Sequence, residues 1–224
     1  MQRKVYLLNC TGIKAFCEQE GRMEELFLKV DDARRKKAEK IRDFGTACMS
    51  LAAGLLLQKV LEEYHAGLAP EGEWAGDFPA LFAEITEPIQ VKYRTARGGK
   101  PYFAKLRLYF NLSHSGDYCM CAVSDEEIGV DIQQQRPAEE RKLAKRFFAE
   151  QEIARVESAS DSEVTEVFYD IWAKKEAYGK LTGLGLNGTM DMDTETLEHV
   201  EFTKLPAPEG YTAYACRYLF SIYE

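Results

Sequence analysis

Between residues 164 and 181 the apolar side chains recur at helical spacing, and this stretch constrains the rest of the chain more than any other. Wound at about 100° per residue, it gathers Val164, Val167, Phe168, Ile171, Trp172, Tyr178 and Leu181 onto one broad arc that faces a core. Glu176 and Lys180 fall just past the Trp172 edge of that arc, one turn apart. Lys174 and Lys175 fall inside it. An ammonium aimed at a core needs an anion or a route back to water. Gly183, after Leu181-Thr182, suits a left-handed cap that ends the helix. Read alone, the Glu176/Lys180 pair is a solvated i, i+4 contact worth about 0.2–0.5 kcal/mol.

A second carboxylate stands upstream. In Ile128-Gly-Val-Asp-Ile-Gln133 the period-two alternation puts Ile128, Val130 and Ile132 on one face of a strand. Asp131 and Gln133 share the other face, so two oxygen-bearing side chains aim into the same space. The plain alternative is the polar edge of a half-buried strand.

The remaining chain reads as mixed helix and strand. The first ten residues read as a strand, and Asp31-Asp32 is placed to cap a helix. Ser50 to Leu61 reads as a strongly apolar core helix. The glycines and prolines between Gly67 and Gly99 predict an irregular surface excursion with one short helix near Ala80–Glu84. Leu106, Leu108 and Phe110 alternate as a strand, which Asn111-Leu-Ser-His-Ser115 follows, and Tyr118–Val123 reads as the next strand. Charged helices are predicted from about Ala138 to Lys145 and from about Gln151. The segment from Met190 to Glu224 reads as a few antiparallel strands.

Composition narrows the function classes. The chain is 46% hydrophobic and 29% charged, which is ordinary for a folded protein. It shows no uninterrupted apolar run of membrane length. Its net charge of −8 disfavours nucleic acid as a partner. Six cysteines, none in a CxxC pair, read as reduced core residues. No secretory leader is recognised at the N-terminus, so a cytoplasmic location is expected. Against the net charge, Arg34, Arg35, Lys36, Lys37, Lys40 and Arg42 crowd one short segment. They form either a solvated helix face or a clamp for a polyanion.

Taken together, the basic helix, Gly99-Lys100-Pro101, Asn111-x-Ser-His-Ser115, Gly129-Val-Asp131 and Trp172-x-x-Lys-Glu-Ala177 resemble the 4'-phosphopantetheinyl transferases. The resemblance is to the monomeric type that activates peptide, polyketide and siderophore synthases, in its W/KEA form. It implies an α+β fold of two similar halves, residues 1–125 and 126–224, related by a pseudo-twofold with the active site in the cleft between them. It implies transfer of the 4'-phosphopantetheine arm of coenzyme A to a serine of an apo acyl or peptidyl carrier protein, releasing 3',5'-ADP. The implied cofactor is Mg2+, with Mn2+ as the alternative, and the implied partners are coenzyme A and the carrier, with no nucleic acid and no membrane.

Carried onto this sequence, the resemblance makes Asp131 and Glu176 metal ligands, with Gln133 a third. Glu176 is the base for the incoming serine, directly or through a water, and Lys180 assists phosphate charge or proton transfer. On the coenzyme A side stand Arg34, Lys37, Ser50, Lys100 and Pro101 beside the adenine, Ser113, His114 for the 3'-phosphate, and Lys175 for another phosphate.

Two positions depart from the pattern. Gln133 stands where many relatives carry a second acid, which leaves a non-catalytic coenzyme A or carrier-protein binding module as an alternative. Cys48-Met49 stand before Ser50 where a basic residue would be unsurprising, which leaves the phosphate clamp dependent on the earlier Arg/Lys cluster. A metal-dependent nuclease also combines Asp, Glu and Lys, but brings the Glu and Lys in on a strand, whereas here they share a helix. Neighbouring Ser113 and His114 point to opposite faces of a strand and lack a Gly-x-Ser-x-Gly elbow, which argues against a serine hydrolase.

Overall fold

The computed structural model describes residues 3–219 and divides the chain into two compact units. The first comprises Met1–Arg94 with Pro101–Asp125, and the second Thr95–Lys100 with Glu126–Glu224. Both mix helices with mostly antiparallel strands, so the fold class is α+β. The division falls between Asp125 and Glu126, and the short segment 95–100 groups with the second unit.

In the first unit four strands lie in the order Gly72–Asp77, Arg3–Asn9, Tyr118–Ser124, Tyr109–Ser115. Arg3–Asn9 pairs in parallel with Gly72–Asp77 and antiparallel with Tyr118–Ser124. The helix Phe44–His65 packs on this sheet. It starts where Asp43 accepts the Thr46 amide at 2.7 Å, satisfying an end that lacks intrahelical partners. Its leucines at 51, 55, 56, 57 and 61 are buried with Leu8, Phe110 and Cys121 in one core. By length and composition this helix is apolar enough to cross a membrane, but 78% of its most apolar window is buried inside the protein. It is apolar nearly all round because it is covered nearly all round. The helix Asp32–Ala38 packs against it, capped by buried Asp31, which accepts the amides of Ala33 (3.0 Å) and Arg34 (3.1 Å).

The second unit is a three-stranded antiparallel sheet in the order Ile128–Gln134, Tyr211–Tyr218, Val200–Lys204. The helix Val164–Thr182 lies against the first two strands. Gly183, at φ 73°, closes it in the left-handed region, which favours glycine. Helices Glu140–Phe147 and Glu150–Ser158 cover its N-terminal part. There Phe168 stacks on Phe148 at 5.1 Å between ring centroids and leans on Trp172 at 5.6 Å.

Several boundaries differ from the sequence reading. The excursion after Gly67 contains a true strand, Gly72–Asp77. Its two glycines and its lack of apolar alternation hid it, and pairing along an edge of the sheet creates it. The strand expected through Leu106 starts only at Tyr109 and takes in Asn111-Leu-Ser-His-Ser115. The first charged helix begins at Glu140, past Pro137. At the C-terminus, Val200–Lys204 and Tyr211–Tyr218 are the strands, while residues 190–199 are largely turns. The parts of the terminal readings that fall on residues 1, 2 and 220–224 lie outside the described residues.

Candidate active site

The site in the second unit is built on one close approach. A β-carbon on Gly129 would lie 2.7 Å from the Leu181 amide nitrogen and closer still to the Ala177 carbonyl oxygen. Only glycine lets the strand Ile128–Gln134 lie this near the helix. Two residues on, the same strand face presents Asp131, which is 1% exposed. Its Oδ1 meets the Lys180 ammonium at 2.6 Å, and its Oδ2 accepts the Gln133 Nε2 hydrogen at 2.9 Å. Gln133 thus reaches the site as a hydrogen-bond donor that orients Asp131.

Glu176, one turn before Lys180, is half-buried on this side of the helix. Its carboxyl is pushed above the ordinary carboxylate range, first by burial and then by the Asp131 charge, with Lys180 pulling the other way. No hydrogen bond or ion pair to its carboxylate is present among the described residues. Two carboxylates from separate elements, one without a donor, repel each other and raise a proton affinity. This donor set fits a hard divalent cation, since magnesium takes one or two carboxylates and fills its octahedron with waters and ligand phosphates. No group of three or more His, Cys, Asp and Glu side chains forms a metal cage among the described residues.

Lys175 is placed differently from the sequence expectation. It is fully buried, and its ammonium is held by Glu152 at 2.7 Å. It also donates to the carbonyls of Thr189, Met190 and Met192. The lysine inside the apolar arc therefore meets its anion within the second unit and offers no donor to a phosphate of coenzyme A. Lys100 donates to the Leu181 carbonyl at 3.0 Å, at the C-terminal end of the helix, where a cation is favoured. Burial pushes its ammonium below the ordinary range, and Glu127 opposes that shift. Its charge is used to hold the helix end. Pro101, exposed, opens a short strand that pairs with Tyr93–Thr95.

In the first unit, a β-carbon on Gly54 would collide with the aliphatic stem of Arg34. Glycine at that point of the Phe44–His65 helix makes room for the arginine. Ser50, one turn earlier on the same face, is 4% exposed and its hydroxyl has no hydrogen-bond partner. Desolvation, and then the neighbouring Arg34 charge, push the Lys37 ammonium below its ordinary range. His114 pairs across the sheet with Cys119, whose thiol donates to the Met49 carbonyl at 3.5 Å. Directly opposed residues share a face, so exposed His114 lies on the face covered by that helix, near Ser50. Ser113 is buried on the opposite face. The first unit thus brings Arg34, Lys37, Ser50 and His114 to one region, and the second brings Asp131, Gln133, Glu176 and Lys180 to another.

Three contributors were missed in the sequence. The role of Gly129 had a signal, because a glycine inside a strand often marks a close backbone approach. Glu152, and Thr194, whose amide and hydroxyl donate to Glu152, had none, since partners 23 residues before and 19 residues after Lys175 leave no local pattern.

A family model described as the 4'-phosphopantetheinyl transferase superfamily matches residues 127–222. A 4'-phosphopantetheinyl transferase of Bacillus subtilis is 32% identical over 126 residues, 56% of each chain. The 4'-phosphopantetheinyl transferase HetI of Nostoc sp. is 42% identical over 106 residues, 45% of each chain. The 4'-phosphopantetheinyl transferase psf-1 of Bacillus pumilus is 29% identical over 188 residues, 84% of this chain and 72% of its own. The alignments span about half the length of most of these curated relatives. The matched span carries both the signature helix and the Gly-Val-Asp strand, and over that span the chain is similar to the 4'-phosphopantetheinyl transferase superfamily.

Proposed function

We propose that this protein transfers the 4'-phosphopantetheine arm of coenzyme A to a serine hydroxyl of an apo acyl or peptidyl carrier protein, releasing 3',5'-ADP. The observation that carries the reading is Glu176, a half-buried carboxylate with raised proton affinity and no hydrogen-bond donor, set beside Asp131 and Lys180.

Asp131 and Glu176 would hold the divalent cation, Mg2+ or Mn2+, with Gln133 orienting Asp131. When bound, the cation supplies charge stabilisation to the diphosphate oxygens. Glu176 takes the proton of the attacking serine, directly or through a water. The serine oxygen bonds to the phosphorus nearer pantetheine as the diphosphate bridge breaks. Lys180 donates to the oxygen charge that develops there. Arg34, Lys37 and His114 carry the positive and hydrogen-bonding groups for the 3'-phosphate, and Ser50 offers its unpartnered hydroxyl. The same reading has the protein act as a monomer in the cytoplasm.

Incubation with coenzyme A, Mg2+ and a panel of apo carriers should add one phosphopantetheine arm, read by intact mass. Folded protein that modifies none of them contradicts the proposal. A second reading, coenzyme A binding without turnover, is favoured by the direct 2.6 Å contact of Lys180 with Asp131, which a metal would have to displace. Tight binding without mass gain would select it.

A further inference from the structure

A fully buried lysine in the second unit lies beside Glu176 in the chain and makes no contact the proposed reaction uses. Lys175 and Glu152 are each 0% exposed and 2.7 Å apart. The ammonium has three hydrogens and four acceptors around it: Glu152 Oε2 and the carbonyls of Thr189 (3.2 Å), Met190 (2.9 Å) and Met192. The face of Phe148, 5.6 Å away, closes another side. Glu152 is equally committed, accepting the amide (3.0 Å) and hydroxyl (2.9 Å) of Thr194 on Oε1 and the Ala149 amide (3.1 Å) on Oε2. Thr189 returns a hydroxyl hydrogen to the Lys175 carbonyl at 3.4 Å. One side chain therefore ties the signature helix to the start of the Glu150–Ser158 helix and to the 189–194 loop.

We propose that Lys175 is a positioning residue that fixes the rotation of the Val164–Thr182 helix about its axis, and so the place of Glu176, without touching coenzyme A. The inference rests on the transfer reading for what Glu176 does. Its geometry is independent of it. Glu176 is the next residue, turned about 100° around the helix. At a helix radius of about 5–6 Å including side chains, a rotation of roughly 10° moves a side-chain tip by about 1 Å. A misplacement of that size is enough for about a 100-fold loss of rate. The network holds the helix against such a turn by fixed acceptors on two other segments.

The pair can be replaced together. Lys175→Met leaves Glu152 charged and buried without its cation, which is strongly destabilising, whereas replacing both members of a buried pair is often close to neutral. In Glu152→Gln/Lys175→Met, the glutamine oxygen still accepts from Thr194, and no charge is left buried, but the side chain at 175 no longer holds the carbonyls of the loop.

The test compares parent, Lys175→Met and the double variant by melting temperature, coenzyme A affinity from calorimetric titration, and kcat and KM on an apo carrier. The expected result is a lower melting temperature and a kcat reduced about 100-fold in the single variant, with the melting temperature recovering in the double variant while kcat stays low; a double variant that regains parental kcat would overturn the proposal. Coenzyme A affinity should stay within about threefold in every folded variant. A folded double variant with coenzyme A affinity reduced tenfold or more would make Lys175 a phosphate contact and overturn the proposal. A single variant with parental melting temperature and kcat would overturn it too. If the parent modifies no carrier, the transfer reading fails by itself, and the melting and binding arms still decide whether Lys175 is an anchor or a ligand contact.

Discussion

Replacing Gly129 by alanine should damage both the fold and the reaction, by an amount the coordinates set. The new β-carbon would sit 2.7 Å from the Leu181 nitrogen, 3.0 Å from the Leu181 β-carbon and nearer still to the Ala177 carbonyl oxygen. Carbon-to-oxygen contacts settle at roughly 3.3–3.6 Å, so relieving the clash with the Ala177 oxygen parts strand and helix by roughly 1.3–1.6 Å. The strand cannot retreat freely, because Gly129 is paired with Cys216 on its neighbour. The helix therefore moves, and the contact between Lys180 and Asp131 at 2.6 Å opens with it. Forcing a methyl into a packed interface typically costs about 1–3 kcal/mol, which for a unit of this size lowers the melting temperature by roughly 5–20 °C. The accompanying shift of Glu176 and Lys180 relative to Asp131 should cost about 100-fold in transfer. Differential scanning calorimetry and intact-mass kinetics read the two effects separately. A Gly129→Ala protein with parental melting temperature and parental turnover would refute the close-approach argument.

Further outcomes follow from the same geometry. Glu176→Gln should reduce transfer by about 10²–10⁴-fold without loss of melting temperature, because it removes one of two facing carboxylates; a clear drop in stability would contradict the repulsion. The folded-state pKa of Glu176 is raised above its ordinary 4.5, so the folded state binds more protons in that window. Metal-free protein should therefore lose stability as pH rises from 4.5 through the raised value, a slope that urea titrations should show flattened in Glu176→Gln. Arg34→Ala and Lys37→Ala should each weaken coenzyme A binding about 10–100-fold, the worth of a charge-assisted hydrogen bond, with unchanged kcat at saturation; unchanged affinity would remove them from the phosphate site. Ser50→Ala should leave the free protein as stable or more so, since its hydroxyl is buried without a partner, while calorimetric affinity for coenzyme A falls. Destabilisation without loss of affinity would speak against a ligand role.

How far the sequence could be read depended on whether a residue's role was local. The signature helix was legible because Val164, Phe168, Ile171, Tyr178 and Leu181 keep its period and are all buried. Its end was legible because Gly183 takes the left-handed cap. Asp131 was legible through strand alternation, although its face is closed by the helix rather than open to solvent. The sequence marked Lys175 as needing an anion, but a resemblance supplied a phosphate where the fold supplies Glu152. That substitution depends on the 189–194 loop folding back over the helix, which no periodicity announces. The Gly72–Asp77 strand was hidden for a related reason, since its pairing with Arg3–Asn9 joins segments far apart in the chain. The crowding of Arg34 and Lys37 was visible as composition; its meaning came from Gly54 and Ser50 on the neighbouring helix.

The proposed reaction needs a cation shared by Asp131 and Glu176, and direct Mn2+ binding in the presence of coenzyme A, followed by electron paramagnetic resonance, tests this with no carrier present. It predicts stoichiometric binding by the parent protein, severely weakened in Asp131→Asn and in Glu176→Gln while both variants stay folded. Binding of equal strength in all three proteins would contradict it.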